Sequence, residues 1–113
     1  MSDACVVEVT EDRFDDEVLR QQGTVLVDFY TSYCPPCKQV APTLEQLCSE
    51  RHSDLKVLKM NAAENATTAG RHGVSAVPTF VLFHAGKKVG QLVGVRSKAQ
   101  FEKWIASSVS GAA

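Results

Sequence analysis

The alternation and helical spacing of apolar residues divide the chain into a series of short elements. Cys5, Val7 and Val9 alternate with Val6, Glu8 and Thr10, which predicts a strand. Thr10 then offers an N-cap, Phe14, Val18 and Leu19 form an apolar stripe, and Gly23 supplies a stop, so a helix is expected between them. Val25 to Tyr30 is apolar except for Asp28, the pattern of a strand buried on both faces in a parallel sheet. From Pro36 to about Arg51, Val40, Leu44, Leu47 and Cys48 recur at helical spacing, with a kink expected at Pro42. Leu55 to Met60 predicts a third strand, Ala66 to His72 a short helix stopped by Gly73, and Thr79 to His84 a fourth strand. Ala85-Gly86-Lys87 turns this strand into a fifth. Ser97 and Gln100 then make a capping box, and Phe101, Trp104, Ile105 and Val109 stripe a last helix, while the small residues from Ser107 to Ala113 are expected to fray. The order β-α-β-α-β-α-β-β-α predicts an α/β fold in which one mixed sheet carries helices on both faces.

Composition narrows the function. The length of 113 residues fits one domain, 1–113, and the 44% hydrophobic and 22% charged fractions are those of an ordinary globular protein. At this size folding buries roughly two-thirds of the unfolded chain's surface, so no disulfide or metal staple is required for stability. Twelve basic against 13 acidic residues leave a formal charge of −1, and the longest basic run is Lys87-Lys88, which argues against a nucleic-acid partner. The longest strictly apolar run, Phe80 to Phe83, falls far short of the roughly 20 residues of a spanning helix, so no membrane partner is expected. Met1 to Glu8 has neither a basic nor an apolar targeting region, and a cytoplasmic location is the expectation.

Cysteine placement carries the chemistry. Cys34-Pro35-Pro36-Cys37 lies between a predicted buried strand and the start of a helix, where free backbone N–H groups and the positive end of the helix dipole stabilise a thiolate at the first cysteine. A second thiol one turn later can resolve a mixed disulfide internally, and Lys38 adds a nearby positive charge. The competing reading is half of a zinc site, which needs two more ligands. About 16 Å of helical rise separates Cys37 from Cys48, and Cys5 and the histidines His52, His72 and His84 show no paired spacing, so the strand-turn-helix context favours redox chemistry. Cys5 and Cys48 fall on apolar stripes and read as core packing, as does Trp104. Asp28 is disfavoured in a buried strand by propensity and desolvation; an edge position, a structural ion pair or a functional role would each account for it, with Lys59 in the next strand as the charge partner. Pro78, at the head of a strand, would alone be taken as trans.

From end to end the chain resembles the thioredoxin family. The resemblance rests on Val27-Asp28-Phe29-Tyr30, Cys34-Pro35-Pro36-Cys37-Lys38 with Pro42 downstream, Val57 to Asn61, Val77-Pro78-Thr79, Gly86 and Gly94. It implies the thioredoxin fold, here a single mixed five-stranded sheet flanked by four helices, and thiol–disulfide exchange that reduces protein disulfides. By the same resemblance Cys34 is the nucleophile, Cys37 the resolving thiol, and Asp28, paired in charge with Lys59, the acceptor of the Cys37 proton through water. It also implies a cis Pro78, which leaves the Val77 backbone to bind an extended substrate, and a groove bordered by Gly94, Gly73 and Val74, with Tyr33 and Pro35 beside the nucleophile. Implied partners are disulfide-containing protein substrates and a thioredoxin reductase or other dithiol donor; neither cofactor nor metal is implied. A redox-inactive binding module on this fold, or a disulfide isomerase, is the alternative.

The chain also departs from the family pattern. Tyr33 and Tyr30 stand where tryptophan is usual, Pro35 where glycine is usual, and Ala63 where an aspartate often follows the third strand, so the usual indole–carboxylate contact cannot form. Pro36 disfavours helical dihedrals at Pro35, which predicts a stiff loop and a helix beginning one residue late. No histidine lies between the cysteines, which favours a reductant over an oxidase.

Overall fold

At the centre of the sheet runs β2 (Thr24–Tyr30), whose residues 25–29 are all buried. In the computed structural model, which describes residues 5–111, it pairs parallel with β3 (Leu55–Asn61) and antiparallel with β4 (Thr79–His84). β1 (Val7–Glu8) adds in parallel outside β3, and β5 (Lys87–Val93) antiparallel outside β4, giving the order β1-β3-β2-β4-β5. Burial on both faces explains why β2 reads as an apolar run rather than an alternation.

Among the described residues three α-helices connect and cover the strands: α1 (Pro35–Arg51), α2 (Ala66–Arg71) and α3 (Lys98–Gly111). Val40, Leu44 and Leu47 of α1 join Phe101 and Ile105 of α3 against Leu26, Val57, Phe80 and Leu82 on one face of the sheet. Phe80 and Phe101 meet edge to face at 4.9 Å, fixing α3 on β4. On the other face Phe14, Val18 and Ala69 pack against Val25, Val27, Leu58, Met60, Val81 and Phe83. The capping box at the head of α3 closes in both directions, Ser97 N–H donating to Gln100 Oε1 at 2.9 Å and Gln100 N–H to Ser97 Oγ at 3.2 Å.

Four details differ from the sequence reading. The first strand contracts to two residues, although Val9 N–H still donates to the Lys59 carbonyl at 2.9 Å. The first helix is not a regular α-helix: a 3-10 turn at Glu11–Arg13 passes into a π turn at Asp15–Leu19. The Thr10 hydroxyl bonds the Asp12 carboxylate instead of capping a backbone N–H, and Lys56 holds the segment to β3 through Glu17 Oε1 at 2.6 Å and the Glu17 carbonyl at 3.0 Å. The long helix begins at Pro35 rather than late, because the first N–H groups of a helix have no intrahelical partner and two prolines there cost no bond. It runs without interruption through Pro42. The tail expected to fray is helical as far as Gly111, since Ile105 and Val109 continue the apolar stripe onto the core; 112–113 lie outside the described residues.

β4 and β5 are joined by a two-residue turn in which both residues have positive φ, 52° at Ala85 and 80° at Gly86, as the twist of a tight hairpin demands. A Cβ on Gly86 would stand 2.3 Å from the Leu19 carbonyl oxygen, so this turn also packs on the end of the first helical segment.

Candidate active site

The C-terminal end of β2 delivers the chain into Thr31-Ser32-Tyr33 and then to Cys34, the N-cap of α1. Cys34 Sγ accepts a hydrogen bond from the Cys37 N–H at 3.2 Å, and the Lys38 N–H bonds the Cys34 carbonyl at 3.2 Å. A sulfur that caps a helix N-terminus gains from the same backbone donors and dipole that favour its ionised form. Cys34 and Cys37 are disulfide-bonded, with Cα atoms 5.2 Å apart. Both are recessed, at 5% and 6% exposure, whereas the neighbouring Tyr33 is 95% exposed.

The segment that enters β4 carries the proline predicted to be cis. The Val77–Pro78 peptide is cis, the isomer that the resemblance implies, and Thr79 Oγ1 steadies the turn by donating to the Ala76 carbonyl at 2.6 Å. Gly94, with φ at 95°, donates its N–H to the Pro78 carbonyl at 2.9 Å, which couples the end of β5 to the cis peptide. The backbone of Val77 has no hydrogen-bond partner among the described residues. Val74 and Val77 line a groove with Thr31, Ala62, Ala63 and Ser75; Gly73 lies just before it in a left-handed turn.

Behind Cys37 opens a pocket of about 180 Å³, lined by Asp28, Tyr30, Lys38 and Lys59 among others. Asp28 faces Lys59 across the parallel ladder and Phe80 across the antiparallel one. It is 5% exposed and its Oδ1 is buried without a hydrogen-bond partner among the described residues. Burial pushes its carboxyl up from 3.8 to about 7; Lys59 opposes the shift and Glu8 adds to it. The edge position offered by the sequence is therefore excluded, since β2 is central.

Glu8 was not legible as a site residue. It stands opposite Lys59 in the β1–β3 register, and its Oε1 accepts the Tyr30 hydroxyl at 2.6 Å. Burial first and Glu8 second push the Tyr30 phenol up, and Lys59 Nζ lies 5.9 Å from the Tyr30 ring centroid. The carboxylate partner missing at Ala63 is thus supplied from β1. Only the outward alternation of Glu8 could have signalled it, and alternation does not give the register. Equally hidden was the polar hinge after β3. Asn61 Oδ1 accepts from the Ala63 and Glu64 N–H groups at 3.0 and 3.1 Å, and its Nδ2 donates to Ser32 Oγ at 3.4 Å. Asn65 Nδ2 bonds the Asn61 carbonyl at 2.9 Å.

The reading of Cys5 and Cys48 as core packing with no redox role holds only in part. They pack on the core, but bonded to each other, because the N-terminal segment crosses the last turn of α1. Among the described residues no group of three or more His, Cys, Asp or Glu side chains gathers as metal ligands, and no helix is long and apolar enough to cross a membrane.

A close cysteine pair at the head of a helix, with a buried carboxylate lining the same pocket as its second member, fits a thiol–disulfide exchange site on a mixed five-stranded sheet. The thioredoxin family model matches residues 5–107. The chain is 40% identical over 109 residues to a thioredoxin of Acidithiobacillus ferridurans, covering 96% of this chain and 100% of the relative. It is 36% identical over 104 residues to a thioredoxin of Pseudomonas aeruginosa, covering 92% and 96%, and 41% identical over 96 residues to one of Mycobacterium bovis, covering 85% and 83%. The chain belongs to the thioredoxin family and has its fold. Its activity is thiol–disulfide oxidoreduction, the reduction of protein disulfides, with disulfide-bearing proteins and a reductant as its general partners.

Proposed function

We propose that Cys34 is the nucleophile and Cys37 the resolving thiol of a single reductase domain spanning 1–113. The observation that carries this is the position of Cys34 as the N-cap of α1, with its sulfur already accepting the Cys37 N–H. A thiolate at Cys34 attacks one sulfur of the substrate disulfide and releases the other as a thiol. The mixed disulfide is then broken by Cys37, whose attack closes the Cys34–Cys37 bond and frees the second substrate thiol. Two electrons pass to the substrate, and a donor dithiol restores the pair.

Cys37 must lose a proton to attack. Asp28 and Cys37 line the same pocket, whose size admits water, so a water-mediated transfer to Asp28 is the assigned route. A carboxyl raised to about 7 is matched to this task near neutrality, and Lys59 keeps it from rising further. An extended substrate segment pairs with the free backbone of Val77 beside Pro78, in a groove bordered by Gly94. Tyr33 and Pro35 form the docking surface for substrates and for a thioredoxin reductase, and a cytoplasmic setting fits this role.

The test separates the two thiols. Cys34→Ser is expected to abolish reduction of insulin disulfides, whereas Cys37→Ser accumulates mixed disulfides, visible by mass spectrometry as substrate-sized adducts. Adducts through Cys37 in the Cys34→Ser protein would reverse the assignment. Insulin disulfides left intact by the unmodified, fully reduced protein would instead favour the redox-inactive binding module.

A further inference from the structure

Two of the four cysteines stand outside the exchange site, and the fold brings them together. Cys48 lies in the last turn of α1, 3% exposed within the core cluster of Val6, Leu44, Leu47 and Leu55. Cys5, partly buried, packs on the same cluster and is bonded to Cys48 across 43 residues of chain, with Cα atoms 5.9 Å apart, a separation native disulfides commonly span. The approach does not depend on the sulfurs alone. One turn before Cys48, Glu45 Oε1 accepts the Cys5 N–H at 2.8 Å, and its Oε2 accepts the Val6 N–H at 3.3 Å. On the far side of the segment, Val9 N–H bonds the Lys59 carbonyl and β1 pairs with β3. The segment from Cys5 to Val9 is therefore held to α1 at one end and to β3 at the other.

We propose that Cys5 and Cys48 form a second disulfide site, a clamp between the β1 segment and α1 that stays closed under reducing conditions that open the Cys34–Cys37 pair. The two pairs sit at opposite ends of one helix, and their chemistry differs accordingly. At the N-terminus the dipole and free N–H groups stabilise the Cys34 thiolate, which favours the reduced form. In the last turn the dipole is reversed, and the apolar surroundings of Cys48 disfavour a thiolate. The prior alignment of the two backbones also favours ring closure. Closure by a low-molecular-weight disulfide such as oxidised glutathione balances in two steps. Cys5 thiolate attacks, releasing one glutathione thiol and forming a mixed disulfide; Cys48 then displaces the second. The cysteines lose two electrons and two protons, and the oxidant becomes two thiols. What the clamp holds is a strand of two residues that carries Glu8, the partner of Tyr30 at the rim of the Asp28 pocket.

The full chain, oxidised with glutathione disulfide, is equilibrated at graded ratios of reduced to oxidised dithiothreitol, quenched by alkylation and mapped without further reduction. The expected result is a Cys5–Cys48 linked peptide in the oxidised protein, persisting to ratios at least tenfold more reducing than those that release Cys34 and Cys37. Absence of that peptide, or opening of both pairs at one ratio or in the reverse order, overturns the proposal. Cys5→Ser keeps the Glu45 contacts and isolates the mechanical role by hydrogen exchange. Protection of the Val9 amide should fall at least tenfold in this variant while the amides of α3 are unchanged. Unaltered protection at Val9 would refute a clamp, even if the bond itself forms.

Discussion

Replacing Asp28 with asparagine should stabilise the protein at alkaline pH and leave it unaltered in acid. In the unfolded chain the carboxyl titrates at its ordinary 3.8; in the fold, burial raises it to about 7. The native state therefore holds the proton more tightly, and its stability falls as pH rises from about 4 to 7, with the whole cost in place above that range. At about 1.36 kcal/mol per unit, the shift amounts to about 4 kcal/mol at pH 8. Asparagine keeps the size of the side chain and cannot ionise, so it escapes this cost. Urea unfolding of both proteins in their oxidised form, at pH 4 and at pH 8, provides the assay. With a slope of about 1–3 kcal/mol per molar urea, the asparagine variant should unfold more than 1 M later at pH 8 and coincide with the parent at pH 4. Titrations of groups that do not interact with Asp28 cancel in the difference. A difference that is flat with pH, or a variant less stable at pH 8, would refute the buried, proton-holding carboxyl on which the proposed relay depends.

Three further outcomes follow from other parts of the molecule. Trp104 packs over Gly90, where an added Cβ would lie 3.1 Å from its Nε1, so tryptophan emission should hardly change when Cys34–Cys37 is reduced with Cys5–Cys48 still closed; a large change in a fluorescence titration would place the indole near Cys34 or signal a wider rearrangement. With Tyr33 exposed and Pro35 beside Cys34, dithiothreitol should support disulfide reduction well, while a conventional NADPH-dependent thioredoxin reductase from another organism couples with kcat/KM lower by about tenfold, recovered in part by Tyr33→Trp with Pro35→Gly. Efficient coupling of the parent, or no recovery in the double variant, would remove these residues from partner choice. Ala85, at a φ of 52°, should accept glycine with a gain of up to about 1 kcal/mol in thermal unfolding, and a loss would show that its methyl contributes packing.

The order of elements, the central apolar strand, the helix over Val40 to Cys48 and the capping box at Ser97 were legible because each rests on local periodicity or a short polar signature. What escaped is set by distance along the chain. The pairing of Cys5 with Cys48 depends on the N-terminal segment crossing α1, which no stripe reveals. Glu8 reaches Tyr30 only because β1 adopts one particular register on β3. The first helix kept its apolar stripe, yet it folds as a 3-10 turn and a π turn, tied to β3 by Lys56, that helical spacing does not distinguish. In the site, the dithiol and the helix start were visible in four residues. The cis form of the Val77–Pro78 bond needed the family resemblance, since the local sequence favours trans.

The margins of the sheet bear on how such a protein behaves when crowded. A long, flat, unpaired strand edge invites other chains to add to it and aggregate. Here one margin is a strand of only two residues, and the other begins with Lys87 and Lys88 and faces an irregular register at Leu82 and Phe83. Neither presents a smooth row of donors and acceptors. The unpaired backbone at Val77 lies instead in the groove with Thr31, on the segment that leads from β2 to the cysteine pair. A foreign strand is thus discouraged where its attachment would be idle and received where, in the mechanism proposed above, a disulfide can be exchanged.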